Sequence, residues 1–237
     1  MTSDPDSAAL ADDSHALADD SHALADGALG SDTDLGDALP RVVALMARLR
    51  RDCPWDAEQT PRSLVKHLIE ETAETVDAIE SGTDADLVEE LGDVLLQVVF
   101  HAEIARGDGR FDIDDVANSL VNKLIARHPW VFGDDAAPSH DNMMATWEGA
   151  KKVAKKRDSA LDGIADALPT LARAAKVATR LRDNHVDAAF DMLDAPDDFG
   201  PRLLALVVEA VQAGADPDQA LRDTTRAWET DVRAAGL

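Results

Sequence analysis

The stretch HLIEETAETVDAIESGTDADLVEELGDVLLQVVF, residues 67–100, carries the pattern that decides the fold. Two acidic pairs stand out in it, Glu71 with Glu74 and Glu90 with Asp93, about twenty residues apart. The members of each pair are three residues apart, and on a helix this spacing places both carboxylates on one face. The stretch therefore predicts two helices that each present a pair of acids.

The residues between the two pairs predict how these helices meet. Ser81-Gly82-Thr83-Asp84 is typical of a helix end followed directly by the N-cap of a new helix. An antiparallel helix pair would set four carboxylates face to face, where they repel one another unless a cation lies between them. Mg²⁺ or Mn²⁺ is the natural candidate, because both prefer oxygen ligands.

Two other interpretations of the acidic pairs stay open. They could form an ordinary solvent-exposed helix face, although they flank strongly apolar stripes and have few basic residues one turn away. A di-iron carboxylate bundle is another possibility, but such bundles normally use Glu-x-x-His pairs and neither acidic cluster supplies one.

Composition and charge narrow the fold and function classes. The 237 residues include no tyrosine, and few segments alternate with a period of two, so we expect an all-α protein. The net charge of −24 argues against nonspecific nucleic-acid binding and against an anionic membrane surface. No apolar run approaches a membrane span. A single cysteine, Cys53, and the absence of a signal-peptide pattern predict a cytoplasmic protein.

The chain divides into three regions by composition. Residues 1–38 hold ten Asp, no Lys or Arg, and a tandem repeat of Ala-Leu-Ala-Asp-Asp-Ser-His, so we expect a disordered acidic tail. Residues 39–157 contain the acidic pairs and are expected to form the helical domain that carries the metal site. Within residues 158–237, the segment 197–208 weakly repeats the pattern of residues 89–100, with Pro201 in the position of Asp93, which suggests an internal duplication. We therefore expect residues 158–237 to form a degenerate second helical region without a metal site.

A second group of residues suggests a phosphorylated ligand. Lys123 and Arg127 are four residues apart in one predicted helix, and Trp147 and Lys151 are four apart in another. A metal held by carboxylates beside Lys and Arg suits a polyphosphate, and Trp147 or Trp55 could stack on a base. Each of these residues could equally be ordinary surface charge or core.

Five short motifs then occur in order: Cys53-Pro54-Trp55-Asp56-x-x-Gln59-Thr60, Glu70-Glu71-x-x-Glu74, Glu90-Leu91-Gly92-Asp93, Arg110-Phe111-Asp112 and Arg127-His128-Pro129-x-Val131-Phe132. Over about residues 40–157 the chain closely resembles the MazG family of nucleoside triphosphate pyrophosphohydrolases. The resemblance implies a helical bundle of the all-α NTP pyrophosphohydrolase type, assembled as a homodimer. It also implies Mg²⁺-dependent cleavage of NTP or dNTP to NMP and pyrophosphate, with Mn²⁺ as an alternative ion, to clear aberrant or excess nucleotides.

The resemblance also assigns roles to individual residues. It implies a metal site made of four acids: Glu71, Glu74, Glu90 and Asp93. Phosphate and nucleotide contacts would come from four further residues: Lys123, Arg127, Trp147 and Lys151. Glu70 would orient the attacking water or act as the base. The alternative is a non-catalytic helical dimer that serves as a scaffold or nucleotide sensor.

Overall fold

The computed structural model describes residues 38–133, 137, 139, 159–186 and 198–236, and every regular element within these ranges is a helix. The all-α prediction is therefore confirmed for the described residues. The chain splits into two compact units, residues 1–135 and 136–237.

The described part of the first unit contains six helices: α1 (Ala38–Asp52), α2 (Pro54–Glu58), α3 (Val65–Ser81), α4 (Asp84–Gly107), α5 (Ile113–Arg127) and α6 (Pro129–Phe132). The described part of the second unit contains three: α7 (Thr170–Asp183), α8 (Phe199–Gln212) and α9 (Pro217–Ala234). None of the helices in these ranges is both long and apolar enough to cross a membrane.

The predicted helix hairpin is present as α3 and α4, and its turn shows why the sequence folds this way. The N–H of Gly82 donates to the carbonyl of Ala78 at 3.0 Å, which ends α3. A Cβ at position 82 would lie 2.8 Å from the Ala78 backbone, so only glycine fits. Thr83 then caps α4 through a capping box with Asp86. The two helices pack antiparallel across this two-residue link.

The core of the first unit lies where α1 and the turn before α3 pack against the C-terminal half of α4. Its buried members are Met46, Leu64, Val99, Phe100 and Ile104. Burial of each such side chain is worth about 1.5–3 kcal/mol, so this cluster fixes α4 relative to its neighbours. The acids Glu90 and Asp93 precede this cluster along α4.

Helix α5 leaves its apolar side uncovered within the first unit. Asp112 caps the helix, yet no residue of α5 is buried. Val116, Leu120 and Leu124, one turn apart, are 36–48% exposed. Val116 and Leu120, together with residues of α1 and α4, line a groove of about 850 Å³ that is mostly apolar.

The second unit is built from α7, α8 and α9. Asp198 and Asp216 cap α8 and α9 by accepting backbone N–H groups. Arg182, near the end of α7, donates to the carbonyl of Val211 near the end of α8 at 2.6 Å. The predicted division at residue 157 stays a prediction, because the predicted helix that carries Trp147 and Lys151 lies outside the described residues.

Candidate active site

Three of the four predicted ligands meet in the α3–α4 hairpin. Glu71 of α3 and Glu90 and Asp93 of α4 each offer a carboxylate oxygen, and these oxygens lie within 4.8 Å of one another. All three side chains are half-buried. Within the described ranges this is the one place where three potential metal ligands converge.

A threonine holds the two helices in register at this point. The hydroxyl of Thr75 donates to the carbonyl of Glu71 at 2.7 Å and reaches the carbonyl of Glu90 at 3.4 Å. The contact ties α3 to α4 one turn beyond Glu71, so the acids face each other across the helix interface. Their convergence is therefore a product of the hairpin geometry and not of flexible side chains alone.

The acids destabilise one another's charged forms. Burial, followed by the charges of Asp93 and Glu74, raises the pKa of Glu71 above its usual range. Burial, followed by the charges of Glu74 and Asp93, does the same to the pKa of Glu90. Glu74 is exposed and outside the cluster of three, but its charge acts on both groups. The site thus concentrates negative charge.

The cluster fits a hard divalent cation. The Oε2 atom of Glu90 is buried and has no hydrogen-bond partner among the described residues. A buried carboxylate oxygen normally has a donor or a cation, because leaving it unsatisfied is costly. Carboxylate oxygens are also the ligands that Mg²⁺ and Mn²⁺ prefer.

Trp55, His67 and Phe100 form an aromatic layer, in which His67 belongs to α3, Phe100 to α4 and Trp55 to α2. The Trp55 ring packs edge-on against His67, with centroids 6.2 Å apart, and against Phe100, at 6.4 Å. His67 lies one turn before Glu71 on α3, and its Nδ1 atom is 3.5 Å from a carboxylate oxygen of Glu70. Trp55 itself remains 54% exposed, so a ring could stack on it.

Sequence reasoning missed two polar residues on this face of α4. Gln97 is 4% exposed, and its Oε1 atom has no hydrogen-bond partner in the described part of the chain. The Nε2 atom of the half-buried His101 also lacks a hydrogen-bond partner among these residues. Gln97 follows Asp93 by one turn and therefore shares its helix face. A glutamine within the apolar run Leu-Leu-Gln-Val-Val-Phe was the signal that could have singled it out.

The sequence of this chain is similar to those of known proteins. Residues 59–132 match the MazG nucleotide pyrophosphohydrolase domain. An uncharacterised 26.1 kDa protein of Streptomyces cacaoi is 46% identical over 203 residues, covering 84% of this chain and 83% of that protein. The nucleoside triphosphate pyrophosphohydrolase/pyrophosphatase MazG of Thermotoga maritima is 36% identical over 220 residues, covering 81% of this chain and 83% of that protein.

The chain belongs to the MazG family. The nucleoside triphosphate pyrophosphohydrolase of Escherichia coli is 43% identical over 148 residues, which cover 60% of this chain and 56% of that protein. The matched MazG domain contains both acidic pairs, and it ends at the last residue of α6. Trp55 lies just outside the matched range but within the described structure.

The remaining predicted site residues of this MazG chain are distributed as follows. Glu70 is exposed and faces His67, while its charge still acts on Glu71. Lys123 is exposed on α5, and Arg127 is half-buried in the last turn of that helix. Trp147 and Lys151 lie outside the described residues. The roles predicted for all of these residues stay predictions.

Proposed function

We propose that this MazG-family chain is a nucleoside triphosphate pyrophosphohydrolase that cleaves NTP and dNTP between the α and β phosphates, releasing NMP and pyrophosphate. The observation that carries the proposal is the convergence of Glu71, Glu90 and Asp93 within a matched MazG domain. Relatives from Thermotoga maritima and Escherichia coli bear the name of this activity. The clearing of aberrant or excess nucleotides is the physiological role that fits it.

The metal we propose is Mg²⁺, with Mn²⁺ as an alternative, held by Glu71, Glu90 and Asp93 with Glu74 beside them. A divalent cation there would neutralise phosphate oxygens and make a bound water more acidic. The unpartnered Oε2 atom of Glu90 and the raised pKa values of Glu71 and Glu90 support a site that needs positive charge. The hairpin itself holds the carboxylates close together before the metal ion binds.

We assign the substrate contacts to two groups of residues, one for the phosphates and one for the base. Lys123 and Arg127 lie one turn apart on α5, which packs against α4, and we assign them to the phosphate oxygens together with Lys151. Trp55 and Trp147 are assigned to the base. The exposed Trp55 ring lies beside the hairpin that carries the acids, and this position supports its assignment.

Glu70 is proposed to orient the attacking water. It neighbours Glu71 in the chain, and His67 lies 3.5 Å from its carboxylate, a distance at which a small rotation gives a hydrogen bond. A carboxylate held in this way can accept a proton from water without being a metal ligand.

We further propose that the protein is a homodimer in which a second copy covers α5. Because no residue of α5 is buried, its apolar side contributes little to stability within one chain. Helices of this length are only marginally stable unless they pack against other elements. The uncovered stripe of Val116, Leu120 and Leu124 borders the apolar groove of α1 and α4, so one face is available for helix packing.

A nucleotide panel tests the proposed function. The purified full chain is incubated with Mg²⁺ and each NTP and dNTP, and NMP, NDP, pyrophosphate and orthophosphate are measured separately. We expect NMP and pyrophosphate in equal amounts. Release of NDP with orthophosphate, or no turnover of any nucleotide, would refute the proposal.

A further inference from the structure

Arg50, near the end of α1, makes an unusual set of contacts with the short helix α2. Its Nη1 atom donates to the carbonyls of Asp56, Ala57 at 3.0 Å and Gln59 at 3.1 Å. The last carbonyls of any helix lack partners within that helix, and an arginine can supply the missing donors. Arg50 therefore acts as the C-terminal cap of a five-residue helix that is too short to be stable alone.

The same guanidinium also contacts the aromatic layer. Its carbon lies 5.8 Å from the centroid of the Phe100 ring, over the ring face. Phe100 is 3% exposed and belongs to the core, so it provides a fixed surface. Trp55, the second residue of α2, packs edge-on against this ring. Arg50 thus touches both the backbone that carries Trp55 and a ring on which Trp55 rests.

A second tie holds the Trp55 backbone. The side-chain amide of Gln59 donates to the carbonyl of Trp55 at 3.0 Å, and its oxygen accepts from the hydroxyl of Ser63 at 2.7 Å. Because Arg50 holds the Gln59 carbonyl, the two ties form one connected network. The backbone that carries the Trp55 indole is therefore held by groups outside the acidic cluster.

The distance along the hairpin suits one nucleotide. His67 precedes Glu71 by four residues and Phe100 follows Asp93 by seven, which correspond to about 6 and 10 Å along a helix axis. A base stacked on Trp55 would therefore leave its phosphates at the acids, separated by the ribose. The exposed fraction of Trp55, 54%, leaves room for such stacking.

We infer that Arg50 is a positioning residue for nucleobase binding: by capping α2 and packing on Phe100 it fixes the Trp55 indole beside His67. This inference rests on the proposed function. Arg50 contacts backbone carbonyls and a core ring in the described structure, so it acts through Trp55 and not on the phosphates.

The test compares Arg50→Met and Arg50→Lys with Arg51→Met in the full chain. Methionine keeps an unbranched stem without N–H donors, and lysine keeps the charge but cannot reproduce the planar fork. Arg51 is an exposed neighbour paired with Asp52, which makes it a matched control. The readouts are kcat and KM for a nucleoside triphosphate, and the inhibition constant of tripolyphosphate, which has no base.

We expect Arg50→Met to raise KM about tenfold, the size of a weakened base–aromatic stack, with kcat within about threefold. The KM of Arg50→Lys should lie between those of Arg50→Met and wild type, and the KM of Arg51→Met should equal that of wild type. The inhibition constant of tripolyphosphate should stay within about twofold throughout. Trp55→Ala should raise KM by a similar factor. The KM of the double variant Arg50→Met/Trp55→Ala should be little higher than that of either single variant, because both changes remove the same interaction.

Three results would overturn the inference while wild-type turnover stands. They are an unchanged KM in Arg50→Met, an equal weakening of tripolyphosphate binding, and full additivity of Arg50→Met with Trp55→Ala. If Arg50→Met fails to fold, Arg50→Lys with Trp55→Ala gives the same comparison. Absence of wild-type turnover would instead refute the proposed function.

Discussion

At the scale of single residues, the site is defined by an unfavourable concentration of carboxylates. Glu71 and Glu90 have raised pKa values because they are partly buried among other acids. Such an arrangement reduces the stability of the metal-free fold at neutral pH and is retained at functional sites, where a ligand compensates for it.

Removing one charge should stabilise the metal-free protein. A carboxyl whose pKa is higher in the folded chain contributes stability in full below its unfolded pKa, and this contribution is lost as pH rises through the folded value. In excess chelator, Glu71→Gln should therefore melt a few degrees above wild type at pH 7, with the gap closing toward pH 4. Thermal melts across pH measure this, with the exposed Glu58→Gln as the control. A Glu71→Gln protein that melts below wild type at pH 7 contradicts the account.

Removing a ligand should also remove activity. We expect Asp93→Ala to lower pyrophosphate release by more than about 100-fold, because a ligand should matter more than the outer groups that support it. Glu74→Ala, which removes a charge beside the three ligands, should lower release by about 10- to 100-fold. Far-UV circular dichroism should stay helical in both, since the change relieves repulsion. Near-normal kinetics in both variants would mean that these acids are only surface charge.

At the scale of elements, the α3–α4 hairpin was predictable because its signals are local. Ser81-Gly82-Thr83-Asp84 encodes both the helix end and the next N-cap, and the three-residue spacings place the acids on facing sides. Thr60-Pro61 is a typical N-cap and first helical position and predicts that α3 begins at Pro61, but the regular helix begins at Val65. Thr60 and Ser63 instead bond to each other's backbone, which forms a turn before the helix.

The aromatic layer could not be predicted from the sequence. It depends on how Trp55, in a short helix, packs on His67 and Phe100 from two other helices. No periodicity or cap links residues so far apart in the chain. The same reason hid Arg50, which resembles an ordinary basic residue near a helix end until its contacts are known.

The capping box of α4 gives a prediction for the hairpin. Thr83→Ala should lower the free energy of unfolding by about 1 kcal/mol, because it removes the side-chain acceptor for Asp86 N–H. Chemical denaturation measures the loss. Thr72→Ala is the matched control, since the Thr72 hydroxyl bonds within a continuous helix turn and its removal should cost little. Equal losses in the two variants would show that the box does not hold the turn.

At the scale of the whole molecule, each unit contributes differently. The converging acids lie in the first unit, while the described helices of the second present Pro201 at the place that aligns with Asp93. The second unit is therefore expected to support packing and not chemistry. That it arose by duplication stays a prediction.

The uncovered stripe of α5 gives a prediction for assembly. We expect the full chain to be a dimer by light scattering, and Leu120→Glu to shift it toward monomer, because a buried charge at the interface is costly. The control is Ser119→Glu, which introduces the same charge at an exposed position of the same helix. A wild-type monomer, or a Leu120→Glu dimer as stable as wild type, would contradict the homodimer proposal.

We propose that one carboxylate cluster, in the α3–α4 hairpin, supports all of the nucleotide hydrolysis by this chain. The most direct test measures pyrophosphate release against Mg²⁺ concentration in the full chain and in a variant with Glu71, Glu74 and Glu90 changed to Gln and Asp93 to Asn. We predict saturable, Mg²⁺-dependent release by wild type and none by the variant, which should keep its helical spectrum. A variant that still binds Mg²⁺ tightly and releases pyrophosphate would place the chemistry elsewhere and contradict the account.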